Sequence, residues 1–370
     1  MVALALAVAA FPGAGGSDQG GAPAAPGSTQ GDTIPSLREA YGGKPLIGAA
    51  MTAAMLRDAR TNTFLAHQFD VVVAEYEMKP EAIAPSEGRY DFGAADAIVD
   101  WASRRGLKVR GHCLVWAQRE VSWMLTKDGK PVPREVLVAR LRTYIHDVVG
   151  HFRGRVWAWD VVNEAFVAGE PGADATHGWR RCSWYDVIGT EYVAMAFQFA
   201  HEADPAALLF YNDYETQNPV RRAMIVELVR TLQGRGIAIH GVGHQAHLLV
   251  THAPVAELEA TLQAVARLGL RNHVTELDLS LRDAFGAPVP PITSPLLGVQ
   301  AERWRALFQM FRRNASRLDA VVLWGVNDES SWLGPPDQPL LFTGLLPKPA
   351  FWVVLDQAQA RSLAGSAPSR

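Results

Sequence analysis

Two glutamates stand in runs that read as buried strands. Glu164 closes Val156-Trp157-Ala158-Trp159-Asp160-Val161-Val162-Asn163, and Glu276 lies within His273-Val274-Thr275-Glu276-Leu277-Asp278-Leu279. A buried carboxylate is costly unless it is hydrogen-bonded, paired or chemically used. Two of them at corresponding strand ends point to acid–base or nucleophilic chemistry on a shared floor. Glu276 and Asp278 are two apart on a strand and share a face. From there Asp278 would orient a histidine such as His247, which in turn would hold Glu276.

The elements that must carry these groups alternate between two periods. Strands are expected over Leu46–Met51, Phe69–Tyr76, Leu107–Trp116, Val156–Glu164, Leu208–Asp213, Ile239–His247, His273–Leu279 and Ala320–Val326. Helical spacing lies between them: Leu137, Leu141, Ile145, Val148 and Phe152 form one stripe, and Ile225, Leu228 and Leu232 another. Phe92–Gly106, Tyr185–Ala203, Pro254–Gly269 and Gln300–Ala315 read likewise, as do stretches around Met55–His67 and Phe351–Ser362. Gly106, Gly236 and Gly269 sit as helix stops. Eight strands, each followed by a helix, predict a single closed (β/α)8 barrel, the TIM barrel. An open doubly wound sheet would carry a glycine-rich loop after its first strand, and Leu46–Met51 has none. In such a barrel, polar groups at strand C-terminal ends mark the active face. Glu75/Lys79, His112/Trp116, Asn163/Glu164, Asn212/Tyr214, Gln245/His247, Glu276/Asp278 and Trp324/Asp328 all fall there.

Taken alone, Asn-Glu after a strand is usually a helix cap and a lone histidine a satisfied core residue. Seven strand ends bearing such groups outweigh that reading. His240, His244 and His247 lack the spacing and flanking carboxylates of a metal site, so no metal and no cofactor is expected. Cys113 and Cys182 lie in no ligand spacing either, and nothing favours a bridge between them. A net charge of −3 without a basic stripe argues against a nucleic-acid partner. The 11 Trp and 8 Tyr suit flat sugar faces, although aromatic residues mostly fill cores.

The organisation expected is a tail over 1–33, a catalytic barrel over 34–362 and a short C-terminal tail over 363–370. Met1 to Ala10 is apolar, too short to span a bilayer, and ends in the small-x-small pattern Ala7-Val8-Ala9 of a secretory signal, but lacks a basic start. Residues 12–31 are rich in Gly, Ala, Pro, Ser and Gln and read as a tether. A secreted or periplasmic monomer with no membrane span is the resulting expectation.

Several motifs together resemble glycoside hydrolase family 10. They are Glu75-x-x-Met78-Lys79, Arg110-Gly111-His112-x-Leu114-Val115-Trp116, Trp159-Asp160-Val161-Val162-Asn163-Glu164 and Tyr211-Asn212-Asp213-Tyr214, then Gly243-x-Gln245-x-His247, Thr275-Glu276-Leu277-Asp278 and Trp324-Gly325-Val326-x-Asp328-x-x-Ser331-Trp332. The match runs in order over about 45–355, and Trp184–Gly189 and Pro347–Ala350 look like further signatures. The resemblance implies a (β/α)8 endo-1,4-β-xylanase with a retaining mechanism. It implies Glu164 as general acid/base, Glu276 as nucleophile and Asn163 on the sugar 2-hydroxyl. Glu75, Lys79, His112, Trp116, Tyr214, Gln245 and His247 would bind substrate, with Trp324 and Trp332 as an aromatic wall and Asp278 in support.

Five positions depart from the family's usual pattern. Tyr76 stands where the family has Asn, Ala117-Gln118-Arg119 replaces His-Ser-Gln, and Cys113 replaces Thr. The lost Asn and Gln serve the second sugar subsite on the non-reducing side, so that subsite is expected to be rebuilt. A hydrolase for another β-linked glycoside, or a non-catalytic carbohydrate-binding barrel, are the competing readings. Keeping both glutamates argues against the second.

Overall fold

The computed structural model describes residues 34–167 and 178–365. The signal-like start and tether lie outside the described residues. Eight parallel strands form one sheet: β1 (Leu46–Met51), β2 (Val71–Ala74), β3 (Lys108–Trp116), β4 (Ala158–Asn163), β5 (Leu208–Asp213), β6 (Gly241–His244), β7 (Arg271–Ser280) and β8 (Leu318–Leu323). Each pairs with its sequence neighbour, and β8 pairs with both β7 and β1, which closes the barrel.

Each strand is followed by a major helix: α1 (Ala59–Gln68), α2 (Gly93–Arg104), α3 (Arg134–His151), α4 (Glu191–Ala203), α5 (Pro219–Gly234), α6 (Val255–Arg267), α7 (Ser294–Arg313) and α8 (Pro349–Gly365). Their starts are chemically marked. Asp58, Asn218 and Thr293 accept backbone N–H groups in the first turns of α1, α5 and α7. Pro219 opens α5, where its missing N–H costs nothing. The α3 stripe Leu137, Leu141, Ile145 and Val148 is buried against the barrel, each side chain contributing about 1.5–3 kcal/mol.

Several elements differ from expectation: the helix expected over Gln300–Ala315 starts at Ser294, the strand expected over Phe69–Tyr76 is confined to Val71–Ala74, and the strand expected over Ala320–Val326 runs over Leu318–Leu323. The strand expected over Ile239–His247 stops at His244 and resumes as His247–Leu249, because Ala246 turns through φ +61°. The helix expected over Tyr185–Ala203 is two helices, Ser183–Ile188 and α4, parted by Gly189 at φ +77°. The last helix starts earlier and ends later than Phe351–Ser362.

Candidate active site

β7 carries Glu276 and Asp278 on one face, and its register pairs Asp278 with His247. That pairing sets the imidazole between two carboxylates: Nδ1 is 2.9 Å from Asp278 Oδ2 and Nε2 is 3.1 Å from Glu276 Oε2. Ionised carboxylates only accept, so both ring nitrogens carry protons. Burial opposes the charge, but Asp278 and then Glu276 outweigh it and push His247 up to about 10. Burial likewise pushes the Glu276 carboxyl up, and the His247 hydrogen bond with the imidazoles of His112 and His247 more than offsets this, holding it below the usual range. The Trp332 indole N–H donates to Asp278 Oδ2 at 2.8 Å, and its ring lies edge-on to His247 at 5.1 Å.

The other oxygen of Glu276 faces β5. Asn212 Nδ2 donates to Glu276 Oε1 at 2.7 Å, while Thr275 Oγ1 donates to Asn212 Oδ1 at 2.7 Å and so fixes which end of the amide faces the carboxylate. A Cβ on Gly243 would lie 2.3 Å from that amide oxygen, so only glycine leaves room for Asn212. Below, Arg110 grips Asp160 with two bonds of 3.0 and 2.6 Å, and His112 Nδ1 is 3.0 Å from Asp160 Oδ2 and 4.0 Å from Glu276 Oε1. Burial pushes Asp160 up, yet Arg110 and His112 outweigh it and hold it low.

Glu164 follows β4 with φ +57°, a conformation that is about 1–2 kcal/mol unfavourable for a residue with a Cβ. Its Oε2 accepts from Trp116 Nε1 at 3.0 Å and Gln118 Nε2 at 2.8 Å, and its Oε1 accepts from Gln245 Nε2 at 2.8 Å. Gln245 also lies 3.3 Å from Asn163 Oδ1, which accepts from Asn212 Nδ2 at 2.9 Å. An unbroken run of amides thus joins the two carboxylates: Glu164, Gln245, Asn163, Asn212, Glu276. Both glutamates are buried, at 7% and 4% exposure.

The remaining expected site residues surround this pair. Lys79 Nζ lies 5.1 Å over the Trp116 ring. Glu75 follows β2; burial raises its carboxyl and Lys79 opposes the shift, with Glu77 and Glu276 adding to it. Trp324 lies 5.3 Å from His112 and 6.4 Å from His247. Tyr214 is turned towards two arginines: Arg180 donates to its hydroxyl at 2.9 Å and Arg221 lies 4.0 Å over its ring. Asp328 is not drawn into the pair. It accepts from Leu340 N and Thr343 Oγ1 and bonds Lys348 Nζ at 3.0 Å, a buried anchor for the segment before α8. The three histidines considered for metal have separate partners: His240 accepts from Leu209 N, His244 bridges Thr216 and Asn272, and His247 bridges the carboxylates. Cys113 and Cys182 are both free and buried.

Asn212, Asp160 and Gln118 touch or brace the carboxylates without having been assigned a role from sequence. For Asn212 a signal was present in its place among the polar groups at the strand C-terminal ends.

The sequence profile of Glycosyl hydrolase family 10 matches residues 36–357. The chain belongs to this family. It is 39% identical to "Endo-1,4-beta-xylanase B" of Paenibacillus barcinonensis, over 88% of this chain and 98% of that one. It is 38% identical to "Endo-1,4-beta-xylanase A" of Caldicellulosiruptor sp. (strain Rt8B.4), covering 87% of this chain and about half, 48%, of that protein. The crystal structure of xylanase B from Clostridium stercorarium F9 superposes with a TM-score of 0.82 at 36% identity, covering 87% of this chain and all of that one. Within this family 10 barrel, Tyr76 is half exposed, and Arg119 stacks 5.8 Å from the Trp116 ring and 3.8 Å from Glu81. Lys79 and Arg119 therefore both lie near the indole that donates to Glu164.

Proposed function

We propose that the protein is a retaining endo-1,4-β-xylanase in which Glu276 is the nucleophile and Glu164 the general acid/base. The observation that carries this assignment is the asymmetry of the two carboxylates: Glu276 is held by a charged imidazole, Glu164 only by neutral N–H donors. An anion fixed beside His247 is ready to attack. In the first step a Glu276 oxygen bonds the anomeric carbon, the glycosidic C–O bond breaks, and Glu164 delivers its proton to the leaving oxygen. In the second step Glu164 takes a proton from water, which attacks the same carbon and frees Glu276. Retention calls for carboxyl groups roughly 5–5.5 Å apart.

Asn163 is assigned to the sugar 2-hydroxyl beside Glu276, where its contact strengthens in the transition state. Glu75, Trp116 and Tyr214 bind substrate, Lys79, His112, Gln245 and His247 line the same subsite as Asn163, and Trp324 and Trp332 wall it. Asp278 acts through His247. Tyr76 and Arg119 give the second glycone subsite a half-exposed ring and a guanidinium suited to a carboxylate-bearing side sugar. The reading extends to an exported protein, supported by the apolar start at Met1–Ala10. No helix among the described residues is long and apolar enough to cross a membrane.

The purified protein should be assayed on xylan, xylo-oligosaccharides, β-glucan and aryl glycosides, with products identified. Internal cleavage of xylan giving β-anomers first is the expected result. Release of α-anomers first, or activity on β-glucan alone, would contradict the assignment.

A further inference from the structure

The backbone that presents Glu164 is held by groups that make no contact with its carboxyl. Glu164 N–H donates to Asn212 O at 2.9 Å, and its carbonyl accepts from Arg180 Nε at 3.0 Å. Ala165 N–H donates to the Tyr211 hydroxyl at 3.0 Å, and its carbonyl accepts from Arg180 N at 2.8 Å. The Phe166 carbonyl accepts from Arg221 at 2.9 Å. Every one of these bonds is to β5, α5 or the segment at Gly178–Arg180, and together they impose the left-handed turn at Glu164.

Asp213 polarises this arrangement. It is fully buried on β5, where its Oδ1 accepts from Arg221 at 3.0 Å and from Tyr214 N at 2.9 Å, and its Oδ2 accepts from the Tyr211 hydroxyl. Burial pushes the Asp213 carboxyl up to about 7 against the pull of Arg221 and the Tyr211 hydrogen bond; in its ionised form it cannot donate, so Tyr211 then gives its only proton to Asp213 and keeps a lone pair for Ala165 N–H. Asp213 thus decides the direction of the hydrogen bond that anchors the residue after Glu164.

We infer that Tyr211, Asp213 and Arg180 are positioning residues that aim the Glu164 carboxyl by fixing the backbone of residues 164–166. The inference rests on the acid/base role of Glu164 given above. Proton delivery depends on placement to within a fraction of an ångström, whereas attack by Glu276, carried on β7, does not depend on this turn. Loss of the clamp should therefore hurt only those substrates whose leaving group needs a proton.

The test is a leaving-group series of aryl β-xylobiosides, from phenyl to 2,4-dinitrophenyl, on wild type, Glu164→Ala, Tyr211→Phe, Asp213→Asn and Arg180→Lys, with melting curves for each. For Tyr211→Phe and Asp213→Asn, kcat/KM on the phenyl glycoside should fall about 10- to 100-fold and on the dinitrophenyl glycoside less than about 3-fold. Arg180→Lys keeps the charge but cannot serve Glu164 O and Tyr214 together, and should show the same tilt more weakly. A steep Glu164→Ala series beside flat series for all three clamp variants would overturn the inference alone. A flat Glu164→Ala series would overturn the role of Glu164 and the clamp with it. Should Tyr211→Phe or Asp213→Asn fail to fold, Arg180→Lys decides, since its contacts lie at the partly exposed side of the turn.

Discussion

Glu276 and Glu164 occupy one barrel mouth in different company. Around Glu276 stand His247 and His112, themselves backed by the buried carboxylates Asp278 and Asp160. Around Glu164 stand an indole and three amides, none of them charged. The difference teaches how one scaffold separates two roles for one side-chain type: fixed charge keeps a nucleophile ionised, while neutral donors orient a group that must give up and regain a proton.

The largest expected effect comes from deleting either member of the pair. Glu276→Ala should lower kcat/KM by about 10⁴-fold or more on every substrate, since no leaving group replaces a missing nucleophile. Glu164→Ala should lose comparably on xylan and far less on dinitrophenyl glycosides, as steady-state rates across both substrates would reveal.

Next is the charged support. His247→Ala should reduce kcat/KM by about 100-fold and move the acidic limb of its pH profile upward, because the hydrogen bond holding the Glu276 carboxyl low is gone. Stability should follow the same group. His247 is raised from about 6.5 to about 10 in the folded protein, so its contribution is complete below about pH 6.5 and disappears as pH rises through about 10. Denaturant melts should accordingly separate wild type from His247→Ala more widely at pH 6 than at pH 10.5.

A control outside the pair sharpens the contrast. Lys348→Met leaves Asp328 buried without its cation and should cost about 3–5 kcal/mol in stability while kcat at 25 °C stays within about 2-fold. A large loss of kcat without loss of stability would mean that Asp328 belongs to the site after all. The smallest effect concerns the rebuilt subsite. Tyr76→Asn with Arg119→Gln should raise kcat/KM on linear xylo-oligosaccharides by the ~1 kcal/mol of a regained polar contact, and Arg119→Gln alone should selectively weaken use of acid-decorated chains.

Much of this arrangement was legible in the amino-acid sequence. Apolar runs of β-branched residues marked the strands, and a carboxylate at the end of such a run has few explanations other than chemistry, which is why Glu164 and Glu276 stood out. Contacts across the barrel were not legible in that way. Asn212 meets Glu276 and Gln245 meets Glu164 because parallel register sets β4 to β7 at matching heights, and one chain read in order does not reveal that alignment. Local backbone was harder still: the turn at Ala246 cuts a run whose apolar pattern continues through it, and Asp328 resembled its strand-end neighbours until Lys348, 20 residues on, was seen to reach it.

The division of labour is tested most directly by trapping. Incubating the protein with a 2-deoxy-2-fluoro-β-xylobioside bearing a dinitrophenyl leaving group should slow the second step and accumulate the covalent sugar adduct. Peptide mass spectrometry should then place the adduct on Glu276, with Glu164 unmodified. An adduct on Glu164, or inactivation by no covalent route alongside normal turnover of the unfluorinated glycoside, would contradict the account.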